Sequence, residues 1–522
     1  MGAAAKGFGE AHRDQPTRFA SGGNQCPRRP PRERGGAGEP PAAADSRGRI
    51  DRVGGEAGYL RGMMRFLLDA VYALGLVATS PVWVYRMIRF GRYLSDWGPR
   101  FGAVPVRYGL QPVIWIHGVS LGEVNGARTL VAELHSQLPD FRVVVSSTTA
   151  TGMAAARRLF ETDHVVFRWP MDFSLAVWRG MNRMRPDLVV LIEGEVWPNF
   201  LGECNRRGVP AVVVNGRLGG DKGYPRYRKL GTLAGRLFNR LTAIGAQNET
   251  YARRYRELGV SEDKIHVTGM LKYDTAEVAD RIEGQDALAA ALGIGPEDRL
   301  IVAGGTGPGE EKILLDVFTN LRHRHPKAKL AIVPRKPERF GEVARLIASW
   351  GFALAQRSES PDGATREHPA DTIILGDTMG ELRKFYALSC CAFVGRSLVP
   401  MGGSDMIEAA ALGRPTVFGP HTFNFPQADE LAECGGVRVA DAEALERQLD
   451  AWLSDPAAAA AAGKAAQEFV RSRQGATRRS VEMICRILDR VPAPVPGTIA
   501  TDAIKEPRED PSDSLEEAQQ TQ

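Results

Sequence analysis

Val113-Ile-Trp-Ile-His-Gly118, Arg142-Val-Val-Val-Ser-Ser147, Leu188-Val-Val-Leu-Ile-Glu193 and Ala211-Val-Val-Val-Asn215 decide the fold. Each is a short, nearly continuous run of β-branched and aliphatic residues, and helical stretches separate them. Alternating apolar and polar positions would mark a sheet with one wet face. Continuous runs mark parallel strands covered by helices on both faces. A second series follows at Leu300–Gly305, Lys329–Pro334, Thr372–Gly376, Cys391–Gly395 and Pro415–Gly419, after a break rich in glycine and charge at 279–298. The expectation is an α/β protein with two doubly wound domains facing each other, and ligands bound beyond the carboxyl ends of the strands.

The rest of the chain fits around this body. At 522 residues it is too long for one core, and 43% hydrophobic with 25% charged residues is ordinary for a folded protein. Residues 1–62, rich in Gly, Pro, Ala and Arg, read as a disordered leader, and 492–522 as a disordered tail. The leader holds 11 Lys and Arg against 7 Asp and Glu, and the tail 2 against 7, so the body keeps a mild cationic excess. That excess suits an acidic membrane surface or phosphorylated ligands and is no signature of nucleic-acid binding. Six cysteines without zinc or redox spacing point to a reducing compartment. Scattered histidines and the lack of H-E-x-x-H leave no metal site to expect. The segment 63–92 contains the apolar run Phe66–Ile88, followed by Arg89 and Arg92. It reads as a membrane anchor; an amphipathic helix lying over the next domain and a cleavable signal peptide are the alternatives. The two domains are then expected at 93–285 and 286–491.

Several strand ends carry chemistry. Gly118-Val-Ser-Leu-Gly122 matches the G-x-S-x-G elbow of serine hydrolases, but it follows the first strand of its sheet rather than a later one. Glu123, at the helix entrance just after it, is either a dipole complement or a catalytic carboxylate. Glu193 and Glu195 stand at alternate positions where the third strand ends, which would put both on one side. Gly304-Gly-Thr-Gly-Pro-Gly-Glu-Glu-Lys312 resembles a phosphate loop but has Glu310 where the Walker pattern needs Lys. Pro334-Arg335-Lys336 offers cations, and Gly376–Leu382 and Gly402–Glu408 open helices whose amides can receive an anion. Together these describe a nucleotide-sugar pocket in the second domain.

Taken in order, these motifs resemble the 3-deoxy-D-manno-octulosonic acid (Kdo) transferases. The resemblance runs from about Arg65 to Val491 through His117–Glu123, Glu193–Asn199, Asn215–Arg217, Gln247–Glu249, Thr268–Lys272, Pro334-Arg335, Gly376–Glu381 and Gly419–Phe425. It implies a GT-B architecture of two Rossmann-like domains, a membrane-anchoring N-terminal segment and a metal-independent, inverting transfer of Kdo from CMP-Kdo to a lipid A precursor. No cofactor is implied, and the place of action is the cytoplasmic face of the inner membrane. By position, Glu123 is the general base, supported by Glu193 and Lys272. Pro334, Arg335, Met379, Gly380, Glu381 and the stretch Asp405, Met406, Ile407 and Glu408 hold CMP. Gly402-Gly403-Ser404-Asp405 stands where the family has Gly-Gly-His-Asn, and Gly307-Pro308 where it has Thr-His. A carboxylate at Asp405 beside an anionic donor requires a cation near it. A UDP-sugar transferase or epimerase of the same build, and a non-catalytic membrane scaffold, are the alternative readings.

Overall fold

The computed structural model describes residues 47–90, 96–220, 223–363, 368–369 and 371–489. The chain divides into two units, Met1–Met63 and Met64–Gln522. Of the first, the described part is the start of the helix Arg47–Phe90; this helix therefore begins inside the stretch expected to be leader. Extending a helix costs much less than nucleating one, so an apolar helix can draw a polar flank into its own geometry. The remainder of the leader and the tail lie outside the described residues.

The second unit holds two seven-stranded parallel sheets. The first contains β1 (Val113–His117), β2 (Arg142–Ser147), β3 (Val165–Arg168), β4 (Leu188–Ile192), β5 (Ala211–Gly216), β6 (Ala243–Ala246) and β7 (Ile265–Val267), in the order β3-β2-β1-β4-β5-β6-β7. The second contains β8 (Arg299–Thr306), β9 (Ala328–Pro334), β10 (Ala353–Gln356), β11 (Thr372–Leu375), β12 (Cys391–Val394), β13 (Thr416–Phe418) and β14 (Val437–Arg438), in the order β10-β11-β9-β8-β12-β13-β14. β1, β4, β5, β11, β12 and β13 are buried at every position. Each sheet has helices on both faces, which accounts for the unbroken apolar runs.

Both sheets reverse direction beside their first strand, between β1 and β4 and between β8 and β12. At such a point the loops leaving two neighbouring strands diverge to opposite faces and leave a crevice at the carboxyl edge. The β1 and β4 loops carry Glu123 and Glu193. The β8 loop carries Glu310, and the chain after β12 leads to Asp405 and Glu408.

The last helix departs from the expected division at residue 286. Ala476–Ile487 returns to the first sheet, where Val481, Ile484 and Cys485 share a core with Val124, Leu130 and Leu134. Asp274 fixes the crossing by accepting from the amides of Gly475 (2.7 Å) and Thr477. Thr129 and Thr477 hydroxyls meet at 3.0 Å, and Arg479 Nε donates to the Thr268 carbonyl at 2.8 Å. A continuous amphipathic helix gives no sign in sequence of which sheet its apolar face will cover.

The phosphate-loop resemblance has a structural explanation. Glu310 is fully buried and its carboxylate accepts from the backbone amides of Gly307 (3.0 Å), Ser397 (2.8 Å), Leu398 (3.0 Å) and Arg396. Its neighbour Glu311 receives Arg339 through both guanidinium arms, at 2.5 and 3.1 Å, and the Thr306 hydroxyl at 2.8 Å. The two acids thus tie the β8 loop to the β12 loop and to the segment after β9. Glu310→Ala would leave four amides without an acceptor in a dry site. It should cost about 3 kcal/mol or more, seen as a lower thermal midpoint, whereas Lys312→Ala should leave the midpoint nearly unchanged.

Candidate active site

Glu123 enters the first crevice through local helix chemistry. Ser120 is the N-cap of the helix Leu121–Gln137; its hydroxyl accepts from the Glu123 amide at 3.4 Å and donates to Glu123 Oε1 at 2.8 Å. The Val119 amide donates to Oε2 at 2.7 Å. The pair resembles a capping box, with the carboxylate reaching the amide one residue before the cap, so a Glu here has a structural use. Unlike an exposed cap, however, this carboxyl is buried. Burial pushes the Glu123 carboxyl up to about 7, with the charges of Glu193 and Glu195 adding to the effect and the bonds from Val119 and Ser120 opposing it. A carboxyl that titrates near neutrality in a cleft is suited to exchanging protons.

The same bonds dispose of the hydrolase elbow. Ser120 is engaged with Glu123, and the one histidine of the motif is occupied elsewhere. His117 meets Ser146 through Nδ1 (3.0 Å to Oγ) and Thr148 Oγ1 through Nε2 (3.3 Å), and its ring stacks on Trp169 at 3.8 Å. Burial drives its imidazole down to about 3, so it is neutral and structural.

Glu193 is not part of a strand. β4 ends at Ile192, and Glu193 takes φ 63° with Gly194 at 98°, so the alternation argument for Glu193 and Glu195 does not apply. A left-handed Glu is strained, and Asn215, itself left-handed at φ 60°, helps to hold it. Asn215 Nδ2 reaches Glu193 Oε1 at 3.5 Å, while its Oδ1 accepts from the Leu271 amide at 3.1 Å. Gln247 Nε2 donates to the Asn215 carbonyl at 3.2 Å. One side chain therefore sets both Glu193 and the short helix Leu271–Thr275 that carries Lys272. Burial raises the Glu193 carboxyl, and the nearby charges of Arg217 and Lys272 pull it back.

Lys272 joins the two halves of the site. Its Nζ lies 3.0 Å from Asp405 Oδ2 and 4.3 Å from the centre of the Phe425 ring. Asp405 Oδ1 accepts from the Ile407 amide at 3.1 Å, at the start of the helix Ile407–Ala411. The cation that a carboxylate at position 405 requires is therefore Lys272. Glu408 stands one turn on, pushed up to about 7 first by burial and then by Asp405, against the pull of Lys272, Arg335 and Arg383. Met406 and Ile407 are buried in the core behind it.

The other sequence-selected residues surround this point. Pro334 closes β9, and exposed Arg335 follows, its amide donating to the Thr306 carbonyl at 3.1 Å. Met379 is exposed and Gly380 turns at φ 88°. Glu381 does something sequence did not indicate. Arg357 grips both its oxygens at 2.8 and 2.9 Å, Thr378 Oγ1 and Lys384 add to the pair, and these bonds hold its carboxyl down at about 2. Its carboxylate staples the loop after β11 to the segment after β10. Asn215, Arg217 and Phe425 are site residues that stand in the quoted motifs without an assigned role; an Asn-Gly closing a run of valines is the readable signal for the first. Among the described residues, no three His, Cys, Asp or Glu side chains gather so as to hold a metal ion.

Comparison with known proteins agrees with this geometry. Residues 95–275 match the family model described as 3-deoxy-D-manno-octulosonic-acid transferase (kdotransferase). The 3-deoxy-D-manno-octulosonic acid transferase of Haemophilus influenzae is 33% identical over 383 residues, 72% of this chain and 87% of that protein. The Bordetella pertussis enzyme of the same name is 34% identical over 436 residues, 79% and 98% of the two chains. The UDP-GlcNAc 2-epimerase of Neisseria meningitidis, at 14% identity and a TM-score of 0.50 over 72% of this chain and all of that one, shares the GT-B fold. The chain belongs to the family of 3-deoxy-D-manno-octulosonic acid transferases, which are glycosyltransferases.

Proposed function

We propose that this chain transfers Kdo from CMP-Kdo to a hydroxyl of the lipid A precursor lipid IVA, with inversion and with neither metal nor cofactor, at the cytoplasmic face of the inner membrane. The observation that carries this reading is an unbroken series of charged neighbours across the two crevices. Glu123 feels Glu193, Glu193 feels Lys272, and Lys272 and Arg335 both act on Glu408. One end of the series is a carboxylate poised near neutrality, and the other is a group of cations.

The chemistry assigns the ends. An acceptor hydroxyl is a weak nucleophile, and Glu123 takes its proton as the oxygen bonds to the anomeric carbon of Kdo. The bond from that carbon to the CMP phosphate breaks on the opposite side, and the electron pair leaves on phosphate. Arg335 and Lys272 neutralise the charge that develops there and the carboxylate of Kdo itself. Lys272 keeps its pairing with Asp405 and offers a second of its three N–H donors to the carboxylate of Kdo. Glu193 orients Lys272. Pro334, Met379 and Gly380 border the nucleotide, Glu381 holds their loop in place, and Asp405 to Glu408 form the floor beneath the phosphate.

Glu123→Gln keeps size and most hydrogen bonding but accepts no proton, so single-turnover transfer should slow roughly 100- to 10,000-fold. CMP affinity should stay near that of the unmodified protein. A purely helix-capping Glu123 predicts turnover within a few-fold of normal instead. Because the base must be ionised, kcat/KM should fall about tenfold per pH unit below pH 7, the value to which burial raises Glu123, and the variant should lack this limb. Arg335→Ala should weaken CMP binding by about 1.5–3 kcal/mol, the range for a charged hydrogen bond; calorimetry giving an unchanged affinity would remove Arg335 from the donor site.

A further inference from the structure

The N-terminal helix is tied to the first domain at both ends of its apolar run. The stretch Arg65–Arg89 is long and apolar enough to cross a membrane. Near its start, Asp69 Oδ1 accepts from the Ser174 amide (3.0 Å) and from Asn199 Nδ2 (2.9 Å), and the Tyr72 hydroxyl donates to Asp172 Oδ2 at 3.2 Å. Beyond its end, Asp96 Oδ2 accepts from Arg168 Nε at 3.0 Å. Ala73, Leu76, Val77 and Trp83 of the helix line one cavity with Met171, Phe173 and Leu175 of the domain, so the helix does not stand away from it. It lies across the domain instead.

Between helix and domain lies a cavity of about 780 Å³. Leu76, Val77, Trp97, Phe101, Phe173 and Leu175 wall it, and it runs from Asp69 to Trp83 along the helix, a length of about 21 Å. Arg100 and Arg179 are its two cations. Its surroundings are unusually apolar for a water-facing surface, with Leu175 65%, Phe101 49% and Trp178 48% exposed.

We propose that this cavity is the slot for one acyl chain of the lipid acceptor, with an acceptor phosphate at Arg100 or Arg179. The proposal rests on the transfer reading above and names the part of the acceptor that the first domain grips. Three observations select this occupant. The slot is long and hydrocarbon-lined, as a chain requires and a sugar does not. The apolar helix that roofs it places it at the level of a lipid surface. It opens on the same sheet edge as Glu123: the loop from Trp169 to Phe173 follows β3, which lies two strands, about 10 Å, from β1. Asp69, which lines the slot, and Asp172 also both hold Asn199, the last residue of the segment that begins at Glu193, so the slot is hydrogen-bonded to the segment that carries Glu193.

Ala73 is exposed on the cavity side of the helix, so Ala73→Phe fills the slot without disturbing a core; Val71→Phe, on the same helix but not lining the cavity, is the control. Each methylene kept from the slot is worth about fourfold in affinity. Ala73→Phe should therefore raise the KM for tetraacylated acceptor at least tenfold while CMP affinity and KM for CMP-Kdo hold, and Val71→Phe should change none of these. In parallel, acceptor lipid with brominated chains should quench the fluorescence of Trp83 and Trp97, and Ala73→Phe should weaken the quenching. An unchanged acceptor KM, a loss of CMP affinity in step with it, or equal quenching by brominated phosphatidylglycerol would overturn the slot. If the unmodified protein quenches normally but transfers nothing from CMP-Kdo, the slot stands and the transfer reading falls.

Discussion

Burial of parallel strands on both faces governs everything else in this molecule. Such strands have no wet side on which to place a charge, and a charge among them would meet a large desolvation cost. Polar chemistry is confined to the edges where strands end, and the right-handed crossovers leave an open crevice at only one place on each sheet. Glu123 and Glu193 occupy one such place, and Glu310, Asp405 and Glu408 the other. The acids fall into two classes. Glu310, Glu311 and Glu381 are satisfied by amides or arginines and hold loops. Glu123, Glu193 and Glu408, like Glu310, are pushed upward by burial, but they stand at the crevices and tie no loop to another.

The sheets were legible in sequence because each long strand is a run of aliphatic residues with no competing helical period. Five strands escape that reading: β3 (Val-Val-Phe-Arg) and β7 (Ile-His-Val) are no more than four residues long, β6 is Ala-Ile-Gly-Ala, β10 is Ala-Leu-Ala-Gln, and β14 is two residues long. Their conformation comes from pairing with a formed neighbour and not from their own propensity. The catalytic candidates were legible for a different reason. They lie just beyond strand ends, where a charged or glycine-rich break in an apolar run stands out.

Partnership was not legible. Nothing in the spacing of Lys272 and Asp405, or of Arg357 and Glu381, announces that they meet, since each pair joins segments brought together only by the sheet order. The same holds for Asp69, the one carboxylate in the apolar run Phe66–Ile88. Read alone it weakens a membrane segment; in the fold it caps the start of the helix Ser174–Met184 and fixes Asn199.

The return of the final helix to the first sheet also bears on how the protein is made. Val124, Leu130 and Leu134 complete their core only when Val481 and Ile484 arrive. A ribosome delivers these partners after both sheets have been synthesised, so the earlier half must wait with an apolar groove open while the later half forms. Contacts of such wide sequence separation close slowly. For this chain, the interval between translation of residue 134 and residue 487 is a period of exposure, in which chaperone capture or premature contact with lipid competes with native closure.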